Sequence, residues 1–266
     1  MDKRILTEIW IYPVKALGGI RIRSSRVMEK GLQYDRRWML VDGDNIFMTQ
    51  RDFPMLALFK LSIEENGFKI KKGDAAITLP FKHSVIEQPV YTIVWDDPVT
   101  TFEVSEAHSR WFSERLGMNC KLVSFPEENP RPVSTDYAIH DEHVSLADGF
   151  PLLIIGQSSL DHLNQQLKSE IPMNRFRPNL VFSPGQPHEE DDWKDFTIGK
   201  NRFVGVKPCA RCAVPTVNQE TGEKGIEPLA TLAKYRRKEN KVFFGQNVLA
   251  VDHDEINEGD EIVVGG

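Results

Sequence analysis

The sequence of 266 residues has few cysteines and no long hydrophobic run. Its three cysteines are an odd number, so they do not indicate a disulfide framework. The longest apolar stretches, such as 152–155, fall far short of the roughly 20 residues that a membrane-spanning helix needs. The first residues also lack the apolar core of a secretory signal. We therefore expect a protein of the reducing cytoplasm that has no association with a membrane.

Charge is distributed unevenly along the chain. The whole sequence has 33 basic and 39 acidic residues, which gives a formal net charge of −6. Residues 1–89 carry 15 basic and 11 acidic side chains, whereas the remainder carries 18 and 28. We expect no nucleic-acid binding, because the chain is acidic and has neither a basic helix nor an aromatic RNA-binding motif. The basic side chains near the N-terminus suit either a solvated strand face or a cradle for a small anion, and they are Lys15, Arg21, Arg23, Arg26, Arg36 and Arg37.

Short segments rich in branched and aromatic residues dominate the sequence and predict strands. They are separated by glycine, proline and aspartate turns, and there is no internal repeat or low-complexity tract. This pattern predicts a β-rich α+β fold with a barrel-like N-terminal domain, and it argues against a doubly wound α/β fold. The predicted strands lie at 4–12, 36–41, 57–63, 67–72, 76–79, 91–95, 100–104, 151–155, 179–183, 196–206, 213–217, 241–251 and 260–265.

Three segments have the periodicity of amphipathic helices. The first, 105–117, is bounded by a serine and a glycine that suit helix ends. In the second, 158–170, Ser158 is predicted to cap the helix. In the third, 227–239, Pro228 suits the first turn and basic residues suit the last.

The most specific local motif is the pair Cys209 and Cys212 in KPCARCAVPTV. The cationic neighbours Lys207 and Arg211 favour a thiolate, which is both a nucleophile and a metal ligand. The pair fits a zinc site that recruits two further ligands. It also fits two cysteines packed in a strand. A thioredoxin-type redox pair is disfavoured, because the β-branched residues and proline that follow do not predict a helix.

A zinc deaminase is a further interpretation of the same motif. Such enzymes combine P-C-x-x-C with an upstream H-x-E, and His188 and Glu190 provide that spacing here. His140 and Glu142 fit the pattern equally well, which shows how easily so short a motif arises by chance.

The segment NRFRPNLVFS (174–183) is the second motif with chemical content. The proline at 178 is predicted to hold Arg177 in an extended conformation. The guanidinium could then bind a phosphate or the edge of a heterocycle, and Asn179 could donate and accept beside it. A surface turn with one ion pair is the alternative.

Seven segments in this order carry a resemblance to a known family: IYPVKALGGI, GLQYDRRWMLVD, MTQRDFP, LADGFPLLIIGQSSLDHLN, RFRPNLVF, KPCARCAVPTV and FGQNVLAV. Together they resemble the MOSC proteins with an N-terminal β-barrel domain, a group that includes bacterial YcbX and the mitochondrial amidoxime-reducing component. The resemblance covers nearly the whole chain. It implies an N-terminal MOSC β-barrel domain at 1–120 and a MOSC β-barrel domain at 121–266.

The resemblance also implies the site. Cys212 would be the thiolate ligand of molybdenum, and Asp148 would lie near the metal as a proton donor or orienting group. Ala16 stands where the family often has serine, so one hydrogen bond to the cofactor is in question. The residues that would bind the molybdenum cofactor, through its pyranopterin and phosphate, are Lys15, Arg36, Arg177 and Asn179.

The implied activity is that of a molybdenum-dependent oxidoreductase in N-reductive detoxification. It would reduce N-hydroxylated small molecules such as amidoximes, hydroxylamines and N-hydroxylated bases. Bacterial YcbX continues into a [2Fe–2S] domain, for which this sequence has no further cysteines. We therefore expect electrons from a separate ferredoxin-, flavodoxin- or cytochrome b5-like protein. The alternative functions are a non-catalytic carrier of the molybdenum cofactor or of sulfur, and the zinc deaminase.

Overall fold

The structure is a computed structural model that describes residues 3–265. Over these residues it has nineteen strands and three α-helices, which confirms the predicted β-rich α+β fold. No helix of residues 3–265 is both long enough and apolar enough to cross a membrane. The strands are β1 (Arg4–Ile11), β2 (Ile20–Ile22), β3 (Ser24–Met28), β4 (Gly31–Leu32), β5 (Trp38–Asp42), β6 (Lys60–Glu64), β7 (Gly67–Lys72), β8 (Ala75–Pro80), β9 (Pro89–Val94), β10 (Asp97–Glu103), β11 (Cys120–Ser124), β12 (Leu152–Gly156), β13 (Leu180–Ser183), β14 (Asp195–Ile198), β15 (Asn201–Ala210), β16 (Arg237–Lys238), β17 (Lys241–Ala250), β18 (Glu255–Asn257) and β19 (Glu261–Val264). The helices are α1 (Glu106–Leu116), α2 (Gln157–Asn164) and α3 (Leu229–Leu232).

Seven strands close into a barrel in the order β12-β13-β1-β19-β14-β15-β17, and β17 pairs with β12 to complete the ring. The pair β12–β13 is parallel and the other six pairs are antiparallel. Closure leaves no free sheet edge along the ring. The barrel places β1, from the start of the chain, between two strands from its C-terminal half. The loop after β1 is thereby brought close to the loop before β13.

The strands β5, β11, β10 and β9 form a separate antiparallel sheet, and β6, β7 and β8 form a third. The helix α1 packs against β11. It starts and ends as predicted, because the Ser105 hydroxyl accepts from the His108 amide and Gly117 adopts φ of 68°. Strand β9 lies at the edge of its sheet, and its turn into β10 reaches the site described below.

The other two predicted helices are wrong in extent. The helix α2 ends at Asn164, because that side chain bonds both backbone groups of Ile171 and turns the chain back. Ser158 does not cap it, since α2 follows β12 directly and starts at residue 157. The helix α3 is a single turn, because residues 237–238 pair with β17 instead of continuing a helix.

The predicted strand at 213–217 is also wrong. Residues Val214–Thr216 form a 3-10 turn. The turn contains Pro215, and proline does not suit the interior of a strand because it has no backbone N–H to donate. Cys212 lies between the end of β15 at Ala210 and the start of this turn at Val214, so the cysteine is in a loop rather than within a sheet.

Gly205 in β15 is required by close backbone packing. A Cβ atom there would lie 2.1 Å from the Trp193 carbonyl oxygen, and the Gly205 amide donates to the Lys194 carbonyl. We expect Gly205→Ala to lower the free energy of unfolding by about 1–3 kcal/mol, because backbone must move to admit the methyl group. Urea denaturation measures this. Gly43→Ala is the control, because nothing lies within 4 Å of its Cβ position, and an equal loss in both variants would contradict the packing argument.

Candidate functional site

The predicted site residues lie around one cavity of about 140 Å³. Loops that follow β1 and β15 and precede β5, β12 and β13 form its wall. All six residues predicted from the sequence line it, although they come from five separate segments. The lining residues used below are Lys15, Arg36, Arg51, Trp95, Asp148, Phe150, Leu153, Phe176, Arg177, Asn179, Cys209, Arg211 and Cys212.

The predicted basic cluster is only partly gathered at this cavity. Lys15 and Arg36 line it, whereas Arg21 bonds Glu8 and Glu258 on the surface. Arg37 is buried and bonds Glu127. Three cations from elsewhere complete the lining, and they are Arg51, Arg177 and Arg211. The cavity therefore has five cationic side chains and one carboxylate.

A buried tyrosine organises two of these arginines. The guanidinium carbons of Arg36 and Arg177 lie 4.4 and 4.2 Å from the centroid of the Tyr12 ring. The Tyr12 hydroxyl donates to the Pro178 carbonyl at 3.1 Å. Arg36 is further fixed by the carboxylate of Asp35, at 2.6 Å. Cation–π contacts and this ion pair hold two like charges side by side.

Arg177 does not adopt the extended conformation predicted from the proline that follows it. Its φ is 56°, in the left-handed region, because its amide turns back to the Asn174 carbonyl. The Arg177 Nη1 donates to the Leu17 carbonyl at 2.7 Å, and Nε and Nη2 of the guanidinium have no acceptor among residues 3–265. Burial lowers the pKa of Arg177 to about 10, so the group remains cationic at neutral pH. Its free donors can bind an anion.

Asn179 is both a lining residue and a structural junction. Its Oδ1 accepts from Arg36 at 3.1 Å and from the Leu153 amide at 3.3 Å. Its Nδ2 donates to the Trp10 carbonyl at 3.1 Å. Asn179 therefore ties β1 and β12 to the arginine pair, and most of its hydrogen-bonding capacity is used within the protein.

Lys15 and Asp148 form an ion pair in the wall. The Lys15 Nζ donates to Asp148 Oδ1 and to the Leu146 carbonyl, both at 2.7 Å. The Trp95 Nε1 donates to the same Oδ1 at 3.1 Å. Burial alone would raise the pKa of Asp148, but the charge and hydrogen bond of Lys15, with help from Trp95, hold it below its usual range. Asp148 is thus an ionised hydrogen-bond acceptor at neutral pH.

We expect Lys15→Met to raise the pKa of Asp148, because the countercharge is lost while the partly enclosed position remains. Stability from a depressed carboxylate pKa is present above the unfolded value of about 3.9 and is lost as the pH falls. The variant should therefore lose less stability than wild type on acidification below that pH. Titration of the Asp148 carboxyl carbon by NMR measures the pKa. Lys207→Met is the control, and an unchanged pKa in Lys15→Met would contradict the pairing.

Sequence reasoning missed Arg131, which fixes the backbone that carries Asp148. The side chain is buried and donates to the carbonyls of Ser145, Ala147 and Asp148 at 2.6, 2.5 and 2.9 Å. Its Nε donates to Asp97 Oδ2 at 2.9 Å. In the sequence, Arg131 lies in a polar, proline-containing stretch, and nothing there distinguishes it from a surface arginine.

The two cysteines of the motif have different environments. The Cys209 Sγ accepts from Arg211 Nη1 at 3.1 Å, whereas the Cys212 thiol, half-buried in the loop after β15, has no hydrogen-bond partner within residues 3–265. Lys207 packs over the Tyr137 ring at 3.9 Å instead of approaching either sulfur. Arg211 also donates to the Phe176 carbonyl, and its buried Nε has no partner in the described chain.

A metal site made only of protein ligands is absent from the part of the chain that the structure describes, where no group of three or more His, Cys, Asp or Glu side chains converges. The residues required by the deaminase interpretation do not line the cavity with the cysteines. Glu190 is buried and accepts from Ser159. The His188 ring packs against His162 and Tyr235. The zinc interpretations therefore lack a ligand set.

Two family models match the chain. The MOSC N-terminal beta barrel domain matches residues 4–119, and the MOSC domain matches residues 141–263. The fold and the gathered motifs agree with these matches. The chain belongs to the MOSC proteins that carry an N-terminal β-barrel domain.

Similar proteins include members of two groups. It is 32% identical to molybdenum cofactor sulfurase of Oryza sativa subsp. japonica, over 98% of this chain and 34% of that protein. It is 29% identical to mitochondrial amidoxime-reducing component 1 of Mus musculus, over 87% of this chain and 71% of that protein. It is also 29% identical to mitochondrial amidoxime reducing component 2 of Rattus norvegicus, over 87% of this chain and 72% of that protein. The chain thus spans about a third of the length of the sulfurase and most of the length of the reducing components.

Proposed function

We propose that the cavity binds the molybdenum cofactor and that the protein reduces N-hydroxylated small molecules. The observation that carries this proposal is the convergence of all six predicted residues on one cavity. The similarity to the amidoxime-reducing components, over most of their length, supports reduction of N-hydroxylated compounds.

The residues of the cavity fit a phosphate-bearing pterin with a metal. Five cations against one carboxylate favour an anion, and arginine suits phosphate because its N–H groups form a planar fork. Arg177 has free donors, and the buried Nε of Arg211 lacks a partner in the described chain. An unpartnered donor of this kind is costly unless a ligand satisfies it. Lys15, Arg36 and Asn179 would complete the contacts with the pterin.

Cys212 would be the only protein ligand of the metal. A thiolate is a soft ligand suited to transition metals, and the Cys212 sulfur bonds no other side chain of residues 3–265. When bound, the cofactor supplies the two-electron chemistry that replaces N–OH by N–H, consuming two protons and releasing water. The absence of a complete protein ligand set over residues 3–265 agrees with sulfur ligands that come from the pterin.

Asp148 would orient the substrate. Both hydrogen bonds that its carboxylate accepts from Lys15 and Trp95 fall on Oδ1. Oδ2 accepts no hydrogen bond within residues 3–265 and can accept an N–H of an amidoxime or hydroxylamine. Because Asp148 is ionised, it does not itself supply the protons that the reaction consumes.

Metal and pterin analysis of protein made in a host that synthesises the cofactor tests the binding proposal. We expect about one molybdenum and one pterin per chain. Reduction of benzamidoxime is then assayed with a ferredoxin-, flavodoxin- or cytochrome b5-like donor and its reductase. Stoichiometric zinc without molybdenum would contradict cofactor binding, and loaded protein that is inactive with every donor would contradict the reductase.

A carrier of the cofactor or of sulfur is the second candidate, favoured by the similarity to the sulfurase over 98% of this chain. Loaded protein that reduces no N-hydroxylated compound but transfers cofactor to an apoenzyme would support it. In either case we propose a cytoplasmic protein, since all three cysteines are free.

A further inference from the structure

We propose that Trp95, together with Arg51, determines specificity at the mouth of the cavity by selecting N-hydroxylated substrates that carry a flat aromatic or heteroaromatic group. This inference rests on the proposed reductase and narrows its substrate class. It assigns a role to two lining residues that the motifs do not include.

Trp95 is placed at the mouth by a strained turn. It lies between β9 and β10 with φ of 60°, a conformation that is costly for a bulky residue. The residue is 43% exposed, although large apolar side chains usually gain from burial. An exposed tryptophan held in a strained conformation beside a cavity is a feature of ligand-binding sites rather than of packing.

Two contacts hold the ring in place. Its Nε1 donates to Asp148 Oδ1 at 3.1 Å, which ties the turn to the loop that carries this carboxylate. The Phe47 ring lies 6.2 Å away, tilted by 52°. The indole is therefore fixed next to the group that would orient the substrate, and its exposed surface faces any molecule that enters.

Arg51 adds a second flat group. Its guanidinium carbon lies 4.2 Å from the centroid of the Trp95 ring. Its side chain bonds only the Thr49 hydroxyl, weakly at 3.4 Å, and no carboxylate of residues 3–265 pairs with it. A guanidinium and an indole both stack on planar rings, whereas an aliphatic group gains little from either. Phe150, Leu153 and Phe176 add apolar surface to the lining of the same cavity.

The test compares benzamidoxime with acetamidoxime, which share the reacting group and differ in the ring. We expect Trp95→Leu to lower kcat/KM for benzamidoxime roughly tenfold, mainly through a higher KM. The kcat/KM for acetamidoxime should change by less than about twofold. Trp95→Phe keeps a ring and should retain the preference. Trp95→Phe removes the indole hydrogen bond that lowers the pKa of Asp148. The acidic limb of the pH profile of kcat/KM should therefore move to higher pH in this variant. Tyr91→Leu, on the exposed face of β9 outside the cavity, is the control.

Calorimetric binding of both compounds to cofactor-loaded protein needs no turnover and separates the two proposals. If wild type turns over neither compound, the reductase proposal fails while the binding comparison still decides the present one. Equal affinity of wild type and Trp95→Leu for benzamidoxime would overturn the inference. An equal loss of affinity for benzamidoxime and acetamidoxime in Trp95→Leu would also overturn it. Loss of pterin from the Trp95→Leu variant would show that the indole contacts the cofactor and would also overturn the proposed role in substrate specificity.

Discussion

Replacing Cys212 with serine is expected to remove most of the bound molybdenum and to lower reduction of benzamidoxime by at least about 100-fold. Changes in residues that only support a metal ligand already cost about 10–100-fold, so loss of the ligand itself should cost more. The side chain is half-buried in a loop and bonds no other group of the described chain, so the substitution should leave the fold intact. Molybdenum content and turnover are measured on the same preparation.

Cys209→Ser and Cys120→Ser are the matched controls. Cys209 accepts from Arg211, so its replacement should weaken cofactor retention only moderately. Cys120 is buried beside Ser113 in β11, away from the cavity, so its replacement should have no effect on metal content. Full molybdenum content and activity in Cys212→Ser would refute the ligand assignment. A greater loss in Cys209→Ser than in Cys212→Ser would move the assignment to Cys209.

Local patterns predicted the fold where local interactions decide it. The helix α1 is correct because a serine cap and a left-handed glycine set its ends within the segment itself. The extent of α2 and α3 depends on contacts with distant residues, namely the turn at Ile171 and pairing with β17. Closure of the barrel likewise depends on pairing between β12 and β17, about ninety residues apart, which no local pattern encodes.

The site could be predicted to the extent that its residues carry the family motifs. Cys212, Asp148 and Arg177 all reached the cavity, although their roles stay predictions. What the motifs could not give is the environment of these residues. Trp95 and Arg131 contact Asp148 from other segments. In the sequence nothing distinguishes Trp95 from an ordinary turn residue or Arg131 from an ordinary surface residue.

Arg131→Met is expected to lower the free energy of unfolding by about 3–5 kcal/mol, because three backbone carbonyls lose a charged donor that satisfies them inside the protein. Burial lowers the pKa of Arg131, opposed by Asp97, and methionine occupies a similar volume without the charge. Urea denaturation at neutral pH measures the loss. Arg202→Met is the control, since its pair with Asp195 is more than half exposed on both sides and should contribute less than about 1 kcal/mol.

The same substitution separates support of the site from support of the fold. Arg131 donates to the Asp148 carbonyl and does not line the cavity, so its loss should displace Asp148 without removing a cofactor contact. Below the unfolding temperature, Arg131→Met should therefore keep its molybdenum and show a lower kcat. Loss of stability close to that of Arg202→Met would show that the carbonyls find other donors. Loss of molybdenum in folded protein would instead show that the loop 145–148 helps to retain the cofactor.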